Sequence, residues 1–319
     1  MSIDRTQSRW EVLASLSSEQ LTAVTRLVQA EMGRMGEEPL SDAARLALRN
    51  PQSEPVAQEA PATWHGLVWI GTGLVAYLQV RREGLDHVAE IAASAQGAVA
   101  AGVASALRDI RQRVGVPIML WVRGDEDPAA AVARNLAMRP IRTLLQMRAQ
   151  IETFPAAVGR PPPPRCPPGF SLRTFNVGAD DDVWLAANRA AFVDLSDQGS
   201  WTRTDLAARI AEPWFRPDGF FLVVTPTDDI AGFHWTKIQT GTECGCAADC
   251  GEIYVLGVCP QYQGHGIGGY LTSVGLDYFR RLGLTTAMLY VDESNAAAIK
   301  TYSTRGFTVF ATSRQFAMP

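Results

Sequence analysis

Four glycines fall within six residues in Gln261-Tyr-Gln-Gly264-His-Gly266-Ile-Gly268-Gly269. Glycine lets a backbone turn tightly and approach a ligand closely. The run follows an apolar segment, Ile253–Val258, and opens a stretch of helical apolar spacing. Successive N–H groups at the positive end of a helix dipole form a pyrophosphate cradle. The Lys-Ser/Thr pair of an NTP-binding phosphate loop is missing, and so is an early βαβ unit with an acidic ribose-binding residue. A second cluster is Asn295-Ala-Ala-Ala298-Ile-Lys300-Thr-Tyr302-Ser-Thr-Arg-Gly306-Phe307. Asn295 suits a helix N-cap and Gly306 the position just past a helix end. Tyr302 stands seven residues after Asn295, near the same helix face. Its phenol can pack in a core or protonate a departing thiolate. His265, inside the glycine run, is expected to face solvent or phosphate.

The elements that must hold these residues occur twice. Gly66–Ile70 and Gly73–Val80 read as a hairpin, as do Gly219–Val224 and Ile230–Trp235. A strand at His87–Ala92 parallels Gly251–Val258, and helical spacing recurs at Ala98–Arg113 and Ile267–Leu282. Met119–Val122 matches Met288–Val291, and each leads through an acidic turn into an Ala-rich helix, Pro128–Leu136 or Asn295–Thr304. The period of about 160 residues marks a duplicated domain, not a solenoid. Between the copies, Arg160–Gly169 holds six prolines in ten residues, a stiff spacer unable to form a helix or central strand. The sequence therefore predicts a domain at 1–155, a linker at 156–169 and a second domain at 170–319.

Composition excludes several classes. With 47% hydrophobic and 19% charged residues the chain is globular, and a net charge of -4 with scattered Arg and Lys argues against a nucleic-acid partner. No apolar run is long enough to span a bilayer and the first residues lack a signal-peptide core, so no membrane association is expected and the location is read as cytoplasmic. Five cysteines without a secretion signal do not make a disulfide framework. Cys244, Cys246 and Cys250 crowd together, but a fourth ligand at metal-like spacing is not evident, so the segment reads as a loop extension and no metal is expected.

The glycine run and the Asn…Tyr…Gly-Phe ending together resemble the GCN5-related N-acetyltransferase (GNAT) superfamily. Its cofactor loop, Gln/Arg-x-x-Gly-x-Gly/Ala, is met by Gln261, Gly264 and Gly266. The resemblance implies an α/β fold of α+β type: two tandem GNAT domains, each a mixed, mostly antiparallel sheet flanked by helices. It also implies acetyl-CoA as co-substrate. Two adjacent parallel strands would splay, and Leu256, Gly257 and Val258 would meet the pantetheine arm, with the Val258 N–H on the thioester carbonyl. Gln263, Gly264, His265, Gly266, Ile267, Gly268 and Gly269 would hold the pyrophosphate, joined by Asn295, Ala298 and Lys300. Glu252 would be the base and Tyr302 the acid.

Segments such as Asn188–Phe192, Asp197–Thr202, Glu212–Gly219 and Gly232–Lys237 are similar to a tandem branch of that superfamily in actinobacteria. Its members acetylate the cysteinyl amine of a cysteine–glucosamine–inositol conjugate. That likeness implies a small-molecule amine partner, a monomer, and substrate contacts at Glu37, Asp197, Lys237, Glu252 and Tyr290. Three features depart from the branch: Cys259 where Asp usually precedes Pro260, the cysteine-rich loop, and Val193–Ser196. The first half lacks the cradling glycines at Ser94–Ala100 and has no Tyr in its last helix, so it is expected to be catalytically silent and to bind CoA poorly. Acetylation of another amine or a protein N-terminus keeps the same chemistry. A non-catalytic CoA-binding module would need neither Glu252 nor Tyr302.

Overall fold

The computed structural model describes residues 8–35, 38–49, 61–94, 99–124, 127–151, 165–193, 195–241, 245 and 248–318. Glu37, Cys244, Cys246 and the prolines at 161–164 lie outside them, as do the side chains of Ser196 and Asp197. Contacts divide the chain into two compact units, 1–143 with 312–319, and 144–311.

The first unit runs β1 (Ser8–Leu13), α1 (Ser18–Met35), α2 (Asp42–Arg49), β2 (Thr63–Ile70), β3 (Gly73–Glu83), β4 (Asp86–Ala93), α3 (Val99–Val114), β5 (Ile118–Arg123), α4 (Pro128–Asn135) and the start of β6 (Arg139–Gln150). The second contains the rest of β6, then β7 (Ser171–Thr174), α5 (Asp181–Ala191), α6 (Ser196–Gly199), α7 (Arg203–Ile210), β8 (Phe220–Val224), β9 (Ile230–Gln239), β10 (Cys250–Val258), α8 (Ile267–Arg281), β11 (Thr286–Asp292), α9 (Ala296–Ser303) and the start of β12 (Thr308–Ala317). Both predicted hairpins and all four paired helices and strands form.

Each unit is built on a mixed sheet with a single parallel pair. In the first unit β1, β2, β3, β4 and β5 pair in order, parallel only at β4–β5, and the end of β12 pairs antiparallel with β5. In the second, β7, β8, β9, β10 and β11 pair in order, parallel only at β10–β11, and β6 closes on β11. The units are therefore not the two halves on either side of the proline run. Leu144–Gln150 pair with β11 and Ser313–Ala317 pair with β5. Each late strand satisfies an edge that would otherwise present unpaired N–H and C=O groups.

Helices cover both faces of the second sheet. Ile267, Leu271, Val274 and Phe279 of α8 pack on Ala231, Ile253 and Leu289. Trp184 of α5 packs on Phe220, Phe233 and Trp235 on the other face. Gly275 sets how closely α8 can lie on β9, because a Cβ there would fall 2.0 Å from Cε1 of His234. A mid-helix glycine costs about 1 kcal/mol relative to alanine, so this close approach is what keeps it. Helix α8 ends at left-handed Gly283, with the Leu284 N–H on the Phe279 carbonyl at 3.1 Å. No helix of the described residues is long and apolar enough to cross a membrane.

Candidate active site

The cradle is a backbone construction. Strand β10 pairs in parallel with β11 only at Gly251–Ala287, Glu252–Met288 and Ile253–Leu289. Its antiparallel pairing with β9 continues to Val258, with a bulge between Ile253 and Val255 that leaves Tyr254 as the extra residue. A bulge bends a strand and increases its twist, so β10 leaves β11 where the bulge begins. The Cys259 N–H goes to the Ala231 carbonyl on the β9 side at 3.0 Å. Strand alternation then turns the N–H groups of Val258 and Leu256 to the opposite edge, past the last β11 pair.

Beyond β10 the chain turns through Gly264 (φ 83°) and Gly266 (φ 78°), the N-cap of α8. No side chain caps this helix. Among the described residues, the N–H groups from Gly264 through Gly269 meet no protein acceptor; the next one, Tyr270, donates to the Gly266 carbonyl. Six orphan donors at a helix head suit an oxygen-rich anion such as a diphosphate. His265 is exposed, its Nδ1 3.1 Å from the Gln263 carbonyl and its ring edge on Phe170. Its Nδ1 is thus tied to the backbone of the loop.

Helix α9 packs against α8. The Asn295 side chain caps it by accepting the Ala298 N–H at 3.0 Å, so its role is structural first. Lys300 is exposed and Ala298 half-buried. Tyr302 is 7% exposed, packed edge-on against Phe307, and its hydroxyl hydrogen-bonds to no described protein atom. Burial pushes this phenol up to about 12, so it keeps its proton at neutral pH. Gly306 (φ 84°) ends the helix turn, as its spacing predicts.

The carboxylate side lies on the other face of β10. Glu252 is opposite Lys237, and both side chains are buried, 7% and 3% exposed, with Nζ 3.9 Å from Oε2. A closer partner is Gln239, whose Nε2–H donates to Glu252 Oε2 at 2.5 Å. Lys237 Nζ stands 5.2 Å from the Trp214 ring centre and 5.7 Å from that of Tyr254. The Tyr254 hydroxyl accepts from Arg209 Nε at 3.0 Å. Tyr290, 45% exposed on β11, accepts from Gln146 Nε2 at 2.8 Å. Sequence reasoning missed Gln239 and Gln146. Gln239 was accessible to it, standing two residues past Lys237 on the same strand face; Gln146 was not, because β6 comes from the preceding repeat.

Glu252, Lys237, Leu256, Val258, the glycine loop, Asn295 and Tyr302 thus belong to one folded unit, while Glu37 and the Asp197 side chain are outside the described structure. Cys259 is a core group: its thiol is 3.2 Å from the Ile230 carbonyl, and burial pushes it up. No group of three or more His, Cys, Asp or Glu suited to a metal occurs among the described residues.

Residues 184–307 match the acetyltransferase (GNAT) family. A mycothiol acetyltransferase of Thermomonospora curvata is 36% identical over 307 residues, 95% of each chain. One from Streptomyces coelicolor is 39% identical over 311 residues, covering 95% of this chain and 93% of that one. Among solved structures, a GCN5-related N-acetyltransferase from Sphaerobacter thermophilus has a TM-score of 0.64 at 22% identity, covering 99% of this chain and 96% of its own. A tandem GNAT protein from the clavulanic acid biosynthesis pathway has a TM-score of 0.67 at 18% identity, covering 98% of each chain. Those two structures speak for the fold, whereas the curated relatives match nearly end to end, and on that ground the chain belongs to the mycothiol acetyltransferase family of GNAT N-acetyltransferases.

Proposed function

We propose that the second unit binds acetyl-CoA along the freed edge of β10 and transfers its acetyl group to the cysteinyl amine of a cysteine–glucosamine–inositol conjugate, forming mycothiol. The observation that carries this reading is the row of unpaired amides from Gly264 to Gly269, at the head of α8, beside a strand whose parallel pairing stops at Ile253.

The loop amides hold the diphosphate, and the pantetheine arm pairs with the outward N–H and C=O groups of β10 like an added strand. The carbonyl donor is better placed at Leu256 than at Val258. Strand rise puts Val258 about 20 Å from Glu252, and Leu256 about 13 Å or less with the bulge. Only the nearer amide lets a long amine substrate touch Glu252, directly or through water, while its nitrogen meets the carbonyl carbon. Val258 then serves the pantetheine arm.

Glu252 takes a proton from the ammonium, and the free amine attacks the thioester carbon. The Leu256 N–H stabilises the oxyanion, a C–N bond forms and the C–S bond breaks. The departing thiolate takes the Tyr302 proton, and the second proton that the nitrogen sheds as the amide forms passes through solvent to restore the phenol. Lys237 and Tyr290 offer polar contacts to the sugar–inositol hydroxyls.

The direct test incubates the chain with acetyl-CoA and the cysteinyl conjugate, alongside polyamines, aminoglycosides and a peptide N-terminus, and follows products by mass spectrometry. Acetylation of the cysteinyl amine at a kcat/KM at least about a hundredfold above the others is expected. Faster acetylation of another amine would reassign the acceptor. CoA binding without any turnover would make the chain a binding module.

A further inference from the structure

Arg305 follows α9 and has no counterpart in the reading above. Its guanidinium is half-buried and forms no ion pair with any described carboxylate. Nε donates to Ser273 Oγ at 3.1 Å, and Nη1 to the Thr301 carbonyl at 2.9 Å and Thr304 Oγ1 at 3.2 Å. Nη2 donates to no described protein atom. It stands beside Gly269, 2.4 Å from where a Cβ on that residue would be.

Gly269 is the last of the six residues whose N–H groups lack an acceptor. A side chain there would displace the guanidinium, so glycine at 269 and arginine at 305 fit together. Energetically the arrangement is odd for the protein alone. A cation beside the first turn of a helix opposes the helix dipole. Burial lowers the affinity of Arg305 for its proton, with no neighbouring carboxylate to offset it. Nη2 of Arg305 and the N–H groups of Gly264 through Gly269 meet no acceptor among the described residues, and an anion would satisfy both.

We propose that Arg305 Nη2 donates to a phosphoryl oxygen of bound CoA, closing the cradle from the α9 side. This rests on the assignment of the loop as the CoA site. Nη1 meanwhile ties the Thr301 carbonyl, one residue before Tyr302, to the same guanidinium. Arg305 is therefore a cofactor-binding and positioning residue. The phosphoryl group is one of the diphosphate or the ribose 3′-phosphate, which share the chemistry that recognises them.

The test compares the full chain with Arg305→Leu and Arg305→Lys. Calorimetry with CoA should show about tenfold weaker binding by the leucine variant, the scale of one charge-assisted hydrogen bond. The lysine variant should recover part of that loss, keeping charge without the fork. S-acetylpantetheine has no phosphate, so Arg305→Leu should lose about tenfold less kcat/KM with it than with acetyl-CoA. A defect that persists with 3′-dephospho-CoA assigns the contact to the diphosphate, and one that vanishes assigns it to the 3′-phosphate. Unchanged CoA affinity in Arg305→Leu, or an equal loss with S-acetylpantetheine, would overturn the proposal. A wild-type chain that binds no CoA would instead overturn the reading of the loop.

Discussion

The two units repeat one scaffold and spend their polar groups differently. Opposite Met119, β4 carries Val88, which pairs across to Arg81; opposite Met288, β10 carries Glu252, which pairs across to Lys237. Val88 thus stands where the second unit has its carboxylate. Seven residues after the helix N-cap Asp127 comes Arg134, where Tyr302 follows Asn295. The β3–β4 pairing has no bulge, and β9–β10 has one at Tyr254. The opposite exchange occurs in the core. Gln79 and Tyr77 occupy the places of Trp235 and Phe233 on the third strand of each sheet, and His65 that of Phe220. The first unit's acidic group, Glu90, is saturated: it accepts from Arg81, Arg123 and both the hydroxyl and the N–H of Ser41. In the first unit this carboxylate serves structure, whereas in the second the N–H groups from Gly264 through Gly269 meet no protein acceptor among the described residues.

Exchanging the two carboxylates for amides should separate these uses. Glu252→Gln is expected to lower kcat/KM by about a hundredfold or more, the usual scale for losing a general base, and also to lower the urea midpoint, because the buried Lys237 ammonium loses its carboxylate. Glu90→Gln should leave catalysis intact. It leaves two guanidinium groups facing a buried amide and should cost about 3 kcal/mol in urea unfolding, with kcat retained. Loss of turnover in Glu90→Gln at full stability would break the division of labour.

The buried histidines offer an acid-side version. His65 bonds through Nδ1 to the Tyr77 hydroxyl and His234 through Nδ1 to the Leu271 carbonyl, and burial pushes each down to about 4. Both are neutral when folded, while the unfolded chain protonates near 6.5. Their contribution is therefore present above pH 6.5 and lost as pH falls towards 4, at up to about 1.4 kcal/mol per pH unit for each. Unfolding free energies measured across that window should slope less steeply, by about one proton, in His65→Phe, which copies the residue found at Phe220.

Tyrosines divide the same way. Tyr302→Phe should lower kcat about ten- to a hundredfold while leaving CoA affinity unchanged. Tyr77→Phe should leave kcat alone, since its phenol is committed to His65 and Gln79. Both phenols are raised by burial, so both stabilise below pH 10 and that stability is lost as pH climbs above it. Equal kcat for Tyr302→Phe and wild type would remove Tyr302 from the proton path.

Much of this was readable before any coordinates. Apolar spacing at Ile267–Leu282 and the glycines around it gave a helix with an uncapped head, because backbone conformation and local composition are both written locally. The duplication was readable because both copies keep the same order of hairpin, strand and helix. Three things were not. The bulge at Tyr254 leaves no mark, since Glu-Ile-Tyr-Val-Leu alternates acceptably without it; only pairing to both neighbours reveals which residue is extra. Division of the chain depends on which late strand closes which edge: Leu144–Gln150 precede the proline run in sequence but belong by contact with the unit that follows it. Arg305 looked like any charge before a glycine until Gly269, distant in sequence, came beside it.

A last, smaller difference concerns glycines at the two helices that follow the fourth strand of each unit. Gly102 in α3 is there for packing: a Cβ would lie 2.7 Å from Val68 Cγ1. Gly266 has nothing within 4 Å of a Cβ, and its φ of 78° is what excludes other residues. A left-handed non-glycine residue costs about 1–2 kcal/mol, which the loop can relieve by rotating and so turning its amides away from the cofactor. Gly266→Ala should therefore weaken CoA binding about tenfold in calorimetry and barely move the urea midpoint. Gly102→Ala should lower the midpoint, by about 1 kcal/mol of overpacking, and leave CoA affinity intact. Should Gly266→Ala bind CoA normally, the amides at the head of α8 are not what hold it, and the contrast between the structural carboxylate of one unit and the open amides of the other loses its clearest member.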